Sequence, residues 1–289
     1  MSSERDPAGA SPSEAATAPR HGAAASHDEG HAPVDVSERG LPRDGQPQRL
    51  DRRLFMELLV LRAAPAVADD GRTVWFSPEA VLARMARGLE CTGGRGVLYE
   101  DLHDPSSFGL LVWDEDPTRL GAMVRAAMAP LAEAHAPEDR WDVRRLVAPR
   151  VDYTMLGRTY SSGFEADLEH WLLRRPVEIV LEERWPWAIW YPLRRRGAFH
   201  RLERPEQGAI LREHGTIGRA YGAADLAHDI RLACHGLDAD DDEFVIGLVG
   251  KDLHPLSHVV QAMRATRQTS EYIEKMGPFF VGRAVRRVR

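Results

Sequence analysis

The sequence predicts an α+β fold made of two ferredoxin-like β-α-β-β-α-β repeats whose sheets close into a barrel. Two observations predict it. Along the 289 residues, strand and helix patterns run through the same six elements twice. The halves also echo each other: "FGLLVWDEDPTRLGAMVRAAM" (108–128) parallels "FVIGLVGKDLHPLSHVVQAM" (244–263) as strand, acidic turn and amphipathic helix. Two antiparallel sheets, each backed by helices on one side, bury their other apolar faces by closing on one another.

Each element has its own signal. Residues 1–48 are rich in Ala, Ser, Pro, Gly and Asp. So few large apolar side chains do not offset the entropy of ordering, and the segment is expected to be a disordered tail. Its "HDEGH" run reads as solvated rather than as a chelator. The N-terminal half, 49–184, opens with a buried strand in "DRRLFMELLVLRA" (51–63). A helix over 77–90 starts at an N-cap Ser77 followed by Pro78. "GVLYEDL" and "FGLLVW" are strands around the turn "HDPSS", followed by a helix over 116–135 and a strand over 151–160. The C-terminal half, 185–289, repeats the order: strand 187–195, helix 204–221, strands "DIRLACHGL" and "EFVIGLVG", helix 254–266 and strand 279–283.

Composition excludes some functions. Net charge is −6, and no basic face interleaved with aromatics is visible, so no nucleic-acid partner is expected. No run approaches the roughly 18 apolar residues of a membrane span, and the amino terminus lacks a signal-peptide hydrophobic region. Two distant cysteines, Cys91 and Cys234, fit a reducing, cytoplasmic setting. His170, His235, His254 and His258 share no zinc-ligand spacing, and the acidic turn "DADDDE" reads as solvated. The Trp-rich run "WPWAIW" (185–190) reads as barrel core and subunit interface.

One stretch stands apart. In "ILREHGTIGRAYG" (210–222), Ile210, His214, Ile217 and Tyr221 fall on one helical stripe, which aims an imidazole along the apolar face. Read alone, His214 fits a core histidine satisfied by a local hydrogen bond. Its neighbours in order give it a second reading. "WYPLRRR", "REHGTIGRAYG", "DEFVIGLVGKDLHPLSHVVQAMRAT" and "GPFFVGR" together resemble the chlorite dismutase family, above all its coproheme decarboxylase branch. The resemblance is clear from 186 to 283; over 51–185 it is one of element order.

That resemblance implies a dimeric α+β barrel subunit, usually in a homopentamer, holding heme b or coproheme in the C-terminal half. His214 would be the proximal iron ligand, for which a neutral imidazole on a dry helix face is well suited. Tyr191 matches a radical-carrying tyrosine and Arg195 a basic residue that engages a propionate. The implied reaction is oxidative decarboxylation of porphyrin propionates with peroxide, through an iron-oxo species and a tyrosyl radical. Arg231 falls at the distal position, where a guanidinium can polarise a peroxide or hold an anionic oxidant; a two-residue slip puts His228 or Asp229 there instead. Phe199 and His200 match aromatics at the heme edge, and Tyr153 and Thr269 are candidate propionate contacts. Read from the residues alone, Tyr191 is equally a core aromatic and Arg195 a solvated charge.

One position departs from the family. Where chlorite dismutases carry a glutamate that accepts the proximal histidine's N–H, Arg267 falls here, and a guanidinium accepts no hydrogen bond. Efficient chlorite dismutation is therefore not expected. Two other readings stay open: a non-catalytic porphyrin-binding or assembly member of the same barrel family, and a cofactor-free α+β barrel monooxygenase.

Overall fold

Residue patterning and local caps set the elements. The computed structural model describes residues 34–67, 71–133, 135 and 137–289, which leaves most of the expected tail and its "HDEGH" run outside the described residues. Within the expected tail, β1 (Glu38–Arg43) and β2 (Gln46–Leu50) form a hairpin instead of continuing as a disordered segment. Its turn is Asp44-Gly45, with φ of 51° and 76°, the sequence type favoured where both central residues are left-handed. Polar contacts anchor it. The Gln48 amide donates to Leu41, Glu165 and Ala166 carbonyls and accepts from Leu168 N–H.

β3 (Phe55–Ala63) follows, then a short pair of strands, β4 (Ala66–Val67) and β5 (Thr73–Val74). Helix α1 (Pro78–Cys91) starts as its sequence dictates: the Ser77 hydroxyl accepts from Ala80 N–H at 3.2 Å and Pro78 takes the first turn. β6 (Gly96–Asp101), β7 (Ser107–Asp114) and α2 (Pro117–Met128) come next. α2 stops short of the expected residue 135 because Pro130 removes a helical N–H and disfavours helix at the residue before it. β8 (Val147–Pro149) leads to a 3-10 turn, Val151–Tyr153, and β9 (Met155–Thr159). A π turn, His170–Arg174, runs into α3 (Arg175–Leu181).

The second half contains β10 (Trp187–Arg195), the short α4 (Gly197–His200), α5 (Arg204–Ala223), β11 (His228–Ala233), β12 (Phe244–Gly250) and α6 (Leu253–Arg264). β13 (Ile273–Met276) and β14 (Phe280–Val288) end it.

Strand pairing repeats as the sequence echo predicts. The order is β12-β11-β9-β3-β7-β6-β14-β10, and β12 also pairs with β10, so eight antiparallel strands form a closed ring. Within each half the strand order is fourth-first-third-second: β9-β3-β7-β6, then β14-β10-β12-β11. This is the ferredoxin-like arrangement twice over. β8 and β13 attach to β3 and β10.

Side chains alternate between the faces. Met56, Trp113, Trp190, Leu232 and Phe280 fill the ring interior. Outside, α1 and α2 cover the first half's sheet, and α5 and α6 cover the second. The interior is tight at Trp190, which faces Gly247 across β10 and β12. A Cβ on Gly247 would lie 2.6 Å from the indole. Gly247→Ala is therefore expected to destabilise the fold by about 1–3 kcal/mol through overpacking, read as a lower denaturant midpoint with unchanged slope. Among the described residues no helix is long and apolar enough to cross a membrane.

Candidate functional site

The two halves differ in how their first helix packs. α1, with 14 residues, buries seven of them against its sheet and α2. α5, with 20 residues, buries only Ile210. The rest of its apolar stripe, His214, Ile217 and Tyr221, is half-buried, as are Ile246, Met263, Ile273 and Phe279 opposite. Four glycines (Gly208, Gly215, Gly218 and Gly222) also weaken α5 by about 1 kcal/mol each relative to alanine. α5 thus buries less of its length against its sheet than α1 does.

His214 projects into the layer between α5 and its sheet. Burial, reinforced by Arg231 and Arg195 and opposed by Asp229 and Glu213, pushes its imidazole down to about 4, so it is neutral at pH 7. Nδ1 lies 3.3 Å from the Thr266 hydroxyl, and Nε2 has no hydrogen bond among the described residues. That donor set fits a ligand to the iron of a porphyrin: a neutral imidazole with one nitrogen held and the other without a hydrogen bond among the described residues.

The sheet opposite is a platform set by register. Tyr191 pairs with Ile246 and Ile246 with Arg231, so the three stand in one row across β10, β12 and β11. At about 4.8 Å per strand, the tyrosine and arginine backbones are roughly 10 Å apart. Tyr191 is 7% exposed and stacks on Phe279 at 4.7 Å, and its hydroxyl has no hydrogen bond among the described residues. Burial, aided by Asp229, raises its pKa. Phe279 separates Tyr191 from an open groove of about 490 Å³ bounded by Ile189, Val260, Arg264 and Val281.

Arg195 ends β10 in a cage, its guanidinium 4.6 Å from the Phe199 ring and 4.4 Å from that of Phe244. Its Nε is buried without a hydrogen bond, and the nearest carboxylate, Glu243, is 3.5 Å away. Glu243 also meets His200 Nε2 at 2.9 Å. The cage corrects the reading of Arg195 as a solvated charge. Arg231 is committed sideways, to Asp229 at 3.2 Å and Glu165 at 3.7 Å, while Arg175 holds the other Asp229 oxygen at 2.9 Å. Of the two slip alternatives, Asp229 shares the Arg231 face, whereas His228 stacks on Trp185 at 3.6 Å.

Thr269 joins this group through Thr266, its hydroxyl 3.4 Å away. Tyr153 does not. It ends a 3-10 turn in the first half, packs toward the ring interior and lies under Arg150 at 4.1 Å. Arg267 is exposed, paired with Glu206 and Glu271 at 3.4 and 3.3 Å. The acidic turn is not simply solvated: Asp242 is 1% exposed and binds Lys275 at 2.8 Å.

Sequence patterns gave no sign of Tyr160, Glu165 or Thr266. Tyr160 comes from the first half, meets Phe244 in a tilted ring contact at 5.4 Å, and lies in the field of Arg231 and Arg195. Glu165 is buried and accepts from the Ser161 and Ser162 hydroxyls at 2.6 and 2.7 Å. Burial opposes its ionisation, but these donors hold its pKa below the ordinary glutamate value. Its stabilising contribution is therefore complete above the unfolded value near 4.3 and lost as pH falls through the lower folded value. Glu165→Gln is expected to cost about 2 kcal/mol at pH 7 and less at pH 3, measured by denaturation at both pH values.

The ring of two ferredoxin-like halves defines a class: α+β barrels with a candidate cofactor site in the C-terminal half. Comparison with known proteins names it. The chlorite dismutase family profile matches residues 123–285, more than half of the chain, and the chain belongs to that family. Over 138 residues it is 28% identical to a candidate heme-binding protein of Haloarcula marismortui; the match covers 45% of this chain and only 20% of that longer protein. A heme-binding protein from Thermus thermophilus superposes with a TM-score of 0.57 at 19% identity, over 81% of this chain and 92% of that one. A chlorite dismutase variant from Candidatus Nitrospira defluvii does so at 0.58 and 14%, over 82% and 93%. At these identities the superpositions speak to the fold.

Proposed function

We propose that the chain binds heme b or coproheme between α5 and the outer face of β10, β12 and β11, where His214 Nε2 would hold the iron, and uses peroxide to decarboxylate porphyrin propionates. The observation that carries this reading is the half-buried His214, held at Nδ1 and with no hydrogen bond to Nε2 among the described residues, on a helix that buries only Ile210. When bound, an iron porphyrin supplies peroxide-driven one-electron oxidation.

The chain's own residues do the rest. Ile217, Ile246 and Met263 give the macrocycle apolar walls and exclude water. Arg195, caged by Phe199 and Phe244 and paired with Glu243 at 3.5 Å, offers a charge-assisted contact to a propionate carboxylate. Tyr191 offers a buried phenol whose hydroxyl proton has no competing acceptor, a suitable hydrogen-atom relay.

A non-catalytic porphyrin-binding role is the second reading, favoured by Arg231, whose guanidinium is engaged by Asp229 and Glu165 rather than left free for an oxidant. One experiment separates the two. Purified protein is titrated with coproheme and with heme b, the Soret band is followed, and peroxide is then added while product mass is recorded. A shifted Soret band followed by stepwise CO2 loss supports the decarboxylase. A shifted band with intact propionates leaves the binding role, and no spectral change with either porphyrin refutes both.

A further inference from the structure

We infer that Thr266 is the positioning residue for His214: its hydroxyl oxygen accepts the Nδ1 proton and so fixes the tautomer that leaves Nε2 bare. This rests on the iron-ligand reading given above and deepens it. Thr266 is 2% exposed, at the end of α6, 52 positions from His214. Its own proton is committed, since the hydroxyl donates to the Met263 carbonyl at 2.7 Å, the shortest of its contacts. Thr269 approaches the oxygen with its N–H and its hydroxyl, each at 3.4 Å, and His214 Nδ1 lies nearer at 3.3 Å. With no proton to give, the oxygen accepts one, and the imidazole must carry it on Nδ1.

Arg267 takes no part, because Glu206 and Glu271 hold its guanidinium at the surface. The acceptor is therefore a neutral hydroxyl rather than a carboxylate. A hydroxyl orients the ring and fixes its tautomer but draws little charge onto it, so the ligand stays imidazole and not imidazolate. The chain thereby holds its histidine firmly while limiting electron donation through it.

Heme b added to the full chain is the probe. Thr266→Val keeps the side-chain shape and removes the acceptor. It is expected to weaken heme affinity about 10-fold, lower the Fe(II)–histidine stretching frequency and raise the reduction potential, with circular dichroism unchanged. Thr266→Ser is expected to restore all three. A folded Thr266→Val protein matching wild type in frequency and potential overturns the inference alone, provided that wild type binds heme through His214. A wild type that takes up no heme overturns the proposed function and this inference together, and so does a His214→Ala protein with the wild-type Fe–histidine band.

Discussion

His214→Ala is expected to lose tight porphyrin binding and keep its fold. Loss of an outer-shell partner alone costs a metal ligand roughly 10–100-fold in affinity, and removing the ligand itself should exceed that. The apo protein has little to lose. His214 is half-buried, its one hydrogen bond is long at 3.3 Å, and Ile210 alone anchors α5 in the core. Alanine is the better helix former in a helix already carrying four glycines. The change should thus leave stability within about 1 kcal/mol of wild type. Soret titration of both proteins beside their denaturation curves checks both halves of the expectation. Equal affinity and an unchanged band in the alanine variant would place the ligand elsewhere; of the other imidazoles of this half, His200, His228 and His258 already meet Glu243, Asp225 and Tyr221.

How far the sequence reaches depends on what kind of contact holds each element. β10 is legible from end to end because its inward residues, Ala188 and Trp190, alternate with outward Ile189 and Tyr191. Ring closure is legible because both halves carry the same order of elements, and that order fixes the same strand sequence in each sheet. The hairpin at 38–50 is not, since it is held by the amide of Gln48 and by Glu38 on Arg158, with no apolar period to announce it. Nor is α3, where Pro176 and a π turn interrupt the helical pattern. The 151–160 segment reads as one strand, yet its first three residues turn in a 3-10 step that takes Tyr153 away from the other candidates.

The site divides in the same way. His214, Tyr191 and Arg195 are singled out by the resemblance of the motifs around them, whereas spacing alone reads them as a core histidine, a core aromatic and a solvated charge. The groups around them come from remote segments: Thr266 from a helix end, Glu165 from a loop, Tyr160 from the other half of the chain. No local spacing encodes such contacts. They follow from the closure of the ring, which puts β9 beside β11 with Thr159 opposite Leu232, so that Tyr160 reaches the Arg231 side.

Tyr191→Phe separates binding from chemistry, because it removes one oxygen and nothing else. The ring keeps its stack on Phe279 and its place in the row with Ile246 and Arg231. The hydroxyl it loses has no hydrogen bond among the described residues, so no partner is stranded, and stability should change by less than about 1 kcal/mol. Porphyrin affinity should be close to wild type, since His214 and the apolar walls are untouched. Decarboxylation should fall about 100-fold or more, the scale on which a positioned hydrogen donor contributes. Product mass after peroxide, beside the Soret titration, reads the two effects independently. Undiminished CO2 loss from the phenylalanine variant would remove Tyr191 from the reaction and make Tyr160 the tyrosine to substitute next, since this half-buried phenol lies in the field of Arg231 and Arg195.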